Sequence, residues 1–154
     1  MGIELKSKDK FKIHGSMQLT LERADGSIQV VRKDNMIVNA GFDFIADSIA
    51  RTSGRPAVMS HIGVGESDDG TTESQTALID PLTPRQSATY EHTAGTKSFT
   101  ISATFNPGVC TGAITEAGVF NALTGGTMLD RVVFSVINKG ADDTLRVVFT
   151  FNMS

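Results

Sequence analysis

The side chains of this chain that could do chemistry are few and scattered. His14, His61 and His92 stand far apart, and no two share a metal-ligand spacing such as His-x-x-x-His. They read as ordinary surface or loop histidines. Cys110 is the single cysteine, so it has no partner for an intramolecular disulfide. In the loop 106–112 it reads as a small buried hydrophobe rather than a nucleophile. Glu116 and Asp130 could face each other across a hairpin as a general acid and base would. The competing reading is a hydrogen bond or ion pair with Arg131 or Arg146, because opposite charges on neighbouring strands stabilise a sheet modestly. No Gly-x-Ser-x-Gly elbow, Walker sequence or zincin helix occurs. Gly63 and Gly65 resemble half of a phosphate loop, but no third glycine or helix follows, and close backbone packing explains them better. The acids of segment 66–75 fail the calcium-loop template and read as a solvated loop. The expectation is a protein with no catalytic residue, no metal site and no cofactor, hence no enzyme.

The elements that hold these residues read as extended chain. Residues 113–134 form the organising hairpin, with branched and aromatic residues at 114–120 and 128–134 around the turn Leu123-Thr124-Gly125-Gly126. Paired glycines accept the positive φ of tight turns. Met17, Leu19 and Leu21 alternate with polar residues, as in a half-buried strand. Ala24-Asp25-Gly26 then turns the chain, so that Ile28 and Val30 are expected on the core side of the returning strand. A helix is expected from an Asn39 N-cap, with Phe42, Ile45, Ala46 and Ile49 as its apolar stripe and Phe44 off it. Asp43 in its first turn and Arg51 near its last would suit the dipole, with Gly54 ending it. Leu78, Ile79 and Leu82 are expected to anchor the irregular segment 76–84. Segments 85–93 and 97–105 flank the turn Ala94-Gly95-Thr96. The last strand carries Leu145, Val147, Phe149 and Phe151 on one face. About eight short strands with one short α-helix predict a mainly β fold, an antiparallel β-sandwich. Its core should include Phe99, Ile101, Phe105, Val119, Met128, Val147, Phe149 and Phe151, with Phe42, Ile45 and Ile49 closing one end.

Length and composition agree with a single domain at 13–154 preceded by an arm at 1–12. A chain of 154 residues can bury about 68–70% of its unfolded surface. The net charge of −3 and pI near 5.5 have the wrong sign for a partner bound through counterion release, so no nucleic acid is expected. No apolar run is long enough to span a membrane and the N-terminus lacks a signal-peptide core, so no membrane is expected either. Lys6 stands where a myristoylation motif needs Ser or Thr. Lys6, Lys8, Lys10 and Lys12 share one parity and would line one face of an extended arm. They are solvated edge charges or, in the functional reading, a contact with an acidic neighbour.

Three segments together resemble a group of small virion proteins of tailed bacteriophages. They are Val38-Asn39-Ala40-Gly41-Phe42 running into Ile45-Ala46-Asp47, then His61-Ile62-Gly63-Val64-Gly65, then Thr115-Glu116-Ala117-Gly118-Val119-Phe120 with Gly126-Thr127-Met128-Leu129-Asp130-Arg131. The ordered set covers most of 36–134 and is similar to head decoration proteins and to some tail-fibre or baseplate components. The resemblance implies a structural subunit of the particle, assembled in the host cytoplasm and placed on the outer capsid surface. Its implied partner is the major capsid protein. A homo-oligomer would suit a capsid lattice, with a trimer on a local three-fold preferred to a dimer. The alternative it leaves is a tail-fibre or baseplate adaptor, although the chain shows no repeat, heptad or collagen-like tract of a long fibre.

Overall fold

A computed structural model describes residues 10–154. Nine antiparallel strands and one helix follow in the order β1 (Ile13–Glu22), β2 (Ile28–Ile37), α1 (Asn39–Ala50), β3 (His61–Gly65), β4 (Gln86–Ser87), β5 (Thr89–His92), β6 (Ser98–Phe105), β7 (Gly112–Phe120), β8 (Met128–Lys139) and β9 (Thr144–Met153). Hydrogen bonding links them as β4-β3-β7-β8-β2-β1-β9-β6-β5. Strand β2 joins the two halves. Its residues 28–35 pair with β1, and only Met36 and Ile37 pair with β8. Segment 86–92 crosses in the same way, since β4 pairs with β3 and β5 with β6, with Ala88 between them. The expected single strand 85–93 is therefore two, which brings the number of strands to nine.

The architecture is a β-sandwich, as the alternating patterns predict. Met17, Leu19 and Leu21 of β1, Ile101 and Phe105 of β6, and Leu145, Val147, Phe149 and Phe151 of β9 line one inner face. Ile62 and Val64 of β3, Ala117 and Val119 of β7, and Val132 and Phe134 of β8 belong to the same core cluster from the other sheet. The two faces share one core, as stacked sheets require. One expected core residue lies at the rim of this cluster and one lies outside it. Phe99 is half-buried and stacks on Phe151 at 5.1 Å between ring centroids. Met128 joins Val38, Leu78 and Phe120 in a second, smaller cluster.

Two sequence expectations are corrected by register. Ile28 and Val30 are exposed at 64% and 46%, and Val31 faces the core instead. A two-residue Asp-Gly turn would pair Ala24 with Ser27. The chain instead closes Arg23 against Ser27, around a three-residue loop with Gly26 at φ +86°. That shift of one residue places Leu19 opposite Val31 and turns Ile28 and Val30 outward.

The helix is rotated in a similar sense. Gly41 is buried, Phe44 and Ile45 pack on the core, and Phe42 and Ile49 are exposed at 51% and 73%. The expected stripe of Phe42, Ile45 and Ile49 therefore does not close the sandwich. Gly41 decides this rotation: a Cβ there would strike the Leu129 carbonyl, so only the glycine face can lie on β8. Asn39 is the first helical residue rather than the cap. Val38 holds the cap position with no side-chain bond, and the Asn39 amide donates to the Glu73 carbonyl at 2.8 Å. Asp43 consequently lies beyond the first turn. Arg51 is the C-cap, already extended, three residues before Gly54.

Candidate functional site

The hairpin β7–β8 carries the densest polar arrangement among the described residues, and it is buried. A bulge near Thr115 turns Ala117 and Val119 into the sandwich and sends Glu116, Gly118 and Phe120 to the opposite face of the sheet. On β3, Gly63 and Gly65 pair with Gly118 and Glu116. A strand face carrying three glycines is shallow, and segment 66–85 crosses it as a strap.

Glu116 and Arg131 pin that strap. The Arg131 Nε donates to Glu116 Oε1 at 3.1 Å, and both side chains are fully buried. Glu116 also accepts the backbone amides of Ser67 at 3.0 Å, Ile79 at 2.9 Å and Asp80 at 2.8 Å. These four donors occupy the four lone-pair directions of a carboxylate. From Arg131, Nη1 donates to the Asp69 carbonyl at 2.9 Å, to Gln75 Oε1 at 3.2 Å and to Thr71 Oγ1 at 3.4 Å. Polar segment 66–75, expected as a solvated loop, thus spends three of its oxygens on one buried guanidinium. Its remaining side chains are mostly exposed.

The apolar half of the strap sits over Phe120. Leu78 is buried against that ring, and Leu82 packs on the main core. Ile79, expected as a third anchor, is 47% exposed because its backbone rather than its side chain makes the contact. The Arg85 guanidinium lies 3.5 Å over the Phe120 ring centroid. Its Nη1 donates to the carbonyls of Ala122 and Gly125 in the hairpin turn, both at 2.8 Å. Glycine is required beneath: a Cβ on Gly65 would stand 2.5 Å from the Asp80 carbonyl oxygen and 2.6 Å from Glu116 Oε2, and one on Gly118 would stand 2.8 Å from the Asp130 carbonyl oxygen. The reading of Gly63 and Gly65 as sites of close packing therefore describes what the strap demands.

The remaining candidates do not assemble. Glu116 and Asp130 are not partners, because Glu116 lies opposite Val133 and Asp130 opposite Val119. Of the two arginines weighed for Glu116, Arg131 makes the bond. His14 pairs at 3.6 Å with Asp34 on the surface, His61 bonds Ser60 Oγ at 2.8 Å, and His92 bonds the Ser98 carbonyl at 2.8 Å, each on a different strand. Cys110 is buried in a left-handed conformation, φ 52°, with its thiol on the Pro84 carbonyl at 3.3 Å. Burial pushes that thiol up, against a smaller downward pull from the Lys139 ammonium. Lys139 itself is held below its ordinary range by burial and donates to the Asn106 carbonyl at 3.0 Å. Lys10 and Lys12 are exposed, with the Lys12 backbone tied to Ser154, whereas Lys6 and Lys8 lie outside the described residues.

Two surface concavities flank these elements. One, about 330 Å³, is walled by apolar residues that include Ile13, Phe44, Ile45, Val58, Tyr90 and Phe99. The other, about 310 Å³, lies between the strap and the hairpin turn, with Arg85 and Phe120 in its wall. Compared with known protein families, curated proteins and solved structures, the chain matches none.

Proposed function

We propose that this chain is a structural protein of a tailed-bacteriophage virion, a decoration or cement protein that binds the outside of the major capsid protein lattice and stabilises the head. What supports the reading is the way the resembling segments meet. Gly41 of the first lies on Leu129, Gly63 and Gly65 of the second lie beneath Phe120 and against Glu116, and Glu116 of the third holds Arg131. Residues spread over most of 36–134 are therefore one framework of mutual contacts. The function that the resemblance implies is that of a subunit rather than of a catalyst.

Adhesion to a shell asks little of any single contact. Several copies, each touching more than one capsid subunit, convert modest affinity into slow release. The exposed Lys10 and Lys12, continuous with Lys6 and Lys8 in sequence, supply a basic contact for an acidic neighbour. Attachment through them should weaken with salt and with lysine-to-glutamine changes. The test is to build particles with and without this protein. Heads lacking it should assemble but lose resistance to heat or to low ionic strength. Heads that keep full stability while the particles fail to adsorb to cells would instead favour the tail-fibre or baseplate adaptor.

A further inference from the structure

The seam between the two sheets carries a buried acid that the strap does not use. Strand β2 leaves β1 at Asn35, which pairs with Gly15, and joins β8 at once through Met36–Arg131 and Ile37–Asp130. The Val38 amide extends the joint by donating to the Leu129 carbonyl at 3.2 Å. Asp130 is fully buried there. Its Oδ1 accepts the Val119 amide at 3.1 Å, and its Oδ2 is in close contact with Asn35 Nδ2. The Asn35 Oδ1 is buried and has no partner among the described residues. A Cβ on Gly15 would collide with the Asn35 amide, so that amide is wedged between the β1 backbone and the carboxyl.

We propose that Asp130 is a proton-operated latch on this seam: as a neutral acid it keeps β2 joined to β8, and on ionisation it lets the crossover loosen. Among the described residues no cation balances a charge at this place. On β8 the neighbouring Arg131 is committed to Glu116 on the opposite face of the sheet. From β7 only the neutral Val119 amide reaches the carboxyl. On β1, His14 is turned outward onto Asp34 of β2. Helix α1 meets β8 with Gly41, while its acids lie away from the seam, Asp43 exposed and Asp47 bonded to Arg51 at 3.3 Å. A carboxylate with two neutral donors and no counter-ion is disfavoured in a dry interior, whereas the protonated acid is tolerated. Burial accordingly pushes the Asp130 carboxyl well above the ordinary carboxylate range, against a smaller downward pull from the Val119 amide. A carboxyl raised in the folded state contributes its stability fully below the unfolded value and loses it as the pH climbs through the raised one. The latch is therefore closed in acid and opens toward alkaline pH.

Asp130→Asn removes the charge and keeps the shape. An amide there still accepts from Val119 and, with the Asn35 amide turned over, donates to the Asn35 oxygen. The experiment is hydrogen exchange at the Val38 amide of purified protein, corrected for intrinsic rates, at about pH 5 and about pH 9. Protection in the unsubstituted chain should fall by about tenfold or more between them, one decade for each unit of pKa displacement that is crossed. In Asp130→Asn it should stay level. Equal pH dependence in the two proteins would overturn the latch. If the variant fails to fold, the carbon-13 carboxyl signal of Asp130 in the unsubstituted chain decides instead: titration in the ordinary carboxylate range overturns the proposal, and titration well above it supports it. None of these outcomes depends on the particle reading, which stands or falls separately.

Discussion

Glu116 shows how a residue that looks reactive can be wholly structural. Its carboxylate takes three strap amides and one guanidinium N–H, all between 2.8 and 3.1 Å. Removing one partner of such a pair leaves the other buried and uncompensated. Glu116→Ala should therefore cost about 3–5 kcal/mol in denaturant unfolding, and it should expose segment 66–85 to protease before the rest of the chain. Gly65→Ala tests the strap from below. Its new methyl must move the Asp80 backbone or the Glu116 carboxylate, so a loss of about 1–3 kcal/mol is expected. Phe149 is completely buried in the sandwich, and Phe149→Ala should cost about 3–5 kcal/mol by the same measurement. The sequence offered Arg131 or Arg146 as a partner for Glu116 because charges of opposite sign fell on neighbouring strands, and the structure selects Arg131. The sequence did not reveal the strap amides, since backbone donors leave no mark in side-chain identity. The polar residues at 66–75 disguised the strap further: their composition is that of a solvated loop, and only their placement makes Asp69, Thr71 and Gln75 ligands of Arg131.

At the scale of elements, periodicity found the strands and failed where one residue of register decided a face. The Asp25-Gly26 signal correctly marked a hairpin between β1 and β2. It could not distinguish a two-residue from a three-residue loop, and that difference inverted the outward and inward sets of β2. Val31→Ala should consequently destabilise more than Val30→Ala, although valine content alone gives no reason to separate them. The helix misled for a different reason. Its apolar pattern offers two faces, Phe42–Ile45–Ile49 and Gly41–Phe44–Ile45, and hydrophobicity favours the first. Close approach to the β8 backbone selects the second, because only Gly41 fits against Leu129. Phe44→Ala should then lower the unfolding free energy clearly, by about 1–3 kcal/mol, while Ile49→Ala should stay within about 0.5 kcal/mol of the parent. The reverse order would restore the face that the sequence pattern favours.

For the whole molecule, the predicted sandwich was legible because one inner face alternates strictly over β1, β6 and β9. The two crossovers at Asn35 and Ala88 were not, since a strand that changes partners midway keeps one unbroken pattern. No function is legible in the side chains themselves, and the capsid proposal comes from the ordered resemblance over 36–134. The structure shows that residues of these segments touch one another within one domain, and the proposal of a capsid-bound subunit rests on the resemblance. A cryo-electron microscopy reconstruction of particles carrying this protein tests that proposal most directly. The expected result is density for the β-sandwich repeated over the outer capsid surface at symmetry-related positions, with segment 1–12 directed toward the shell or a neighbouring copy. Density confined to the tail or baseplate, with a bare capsid surface, would contradict it.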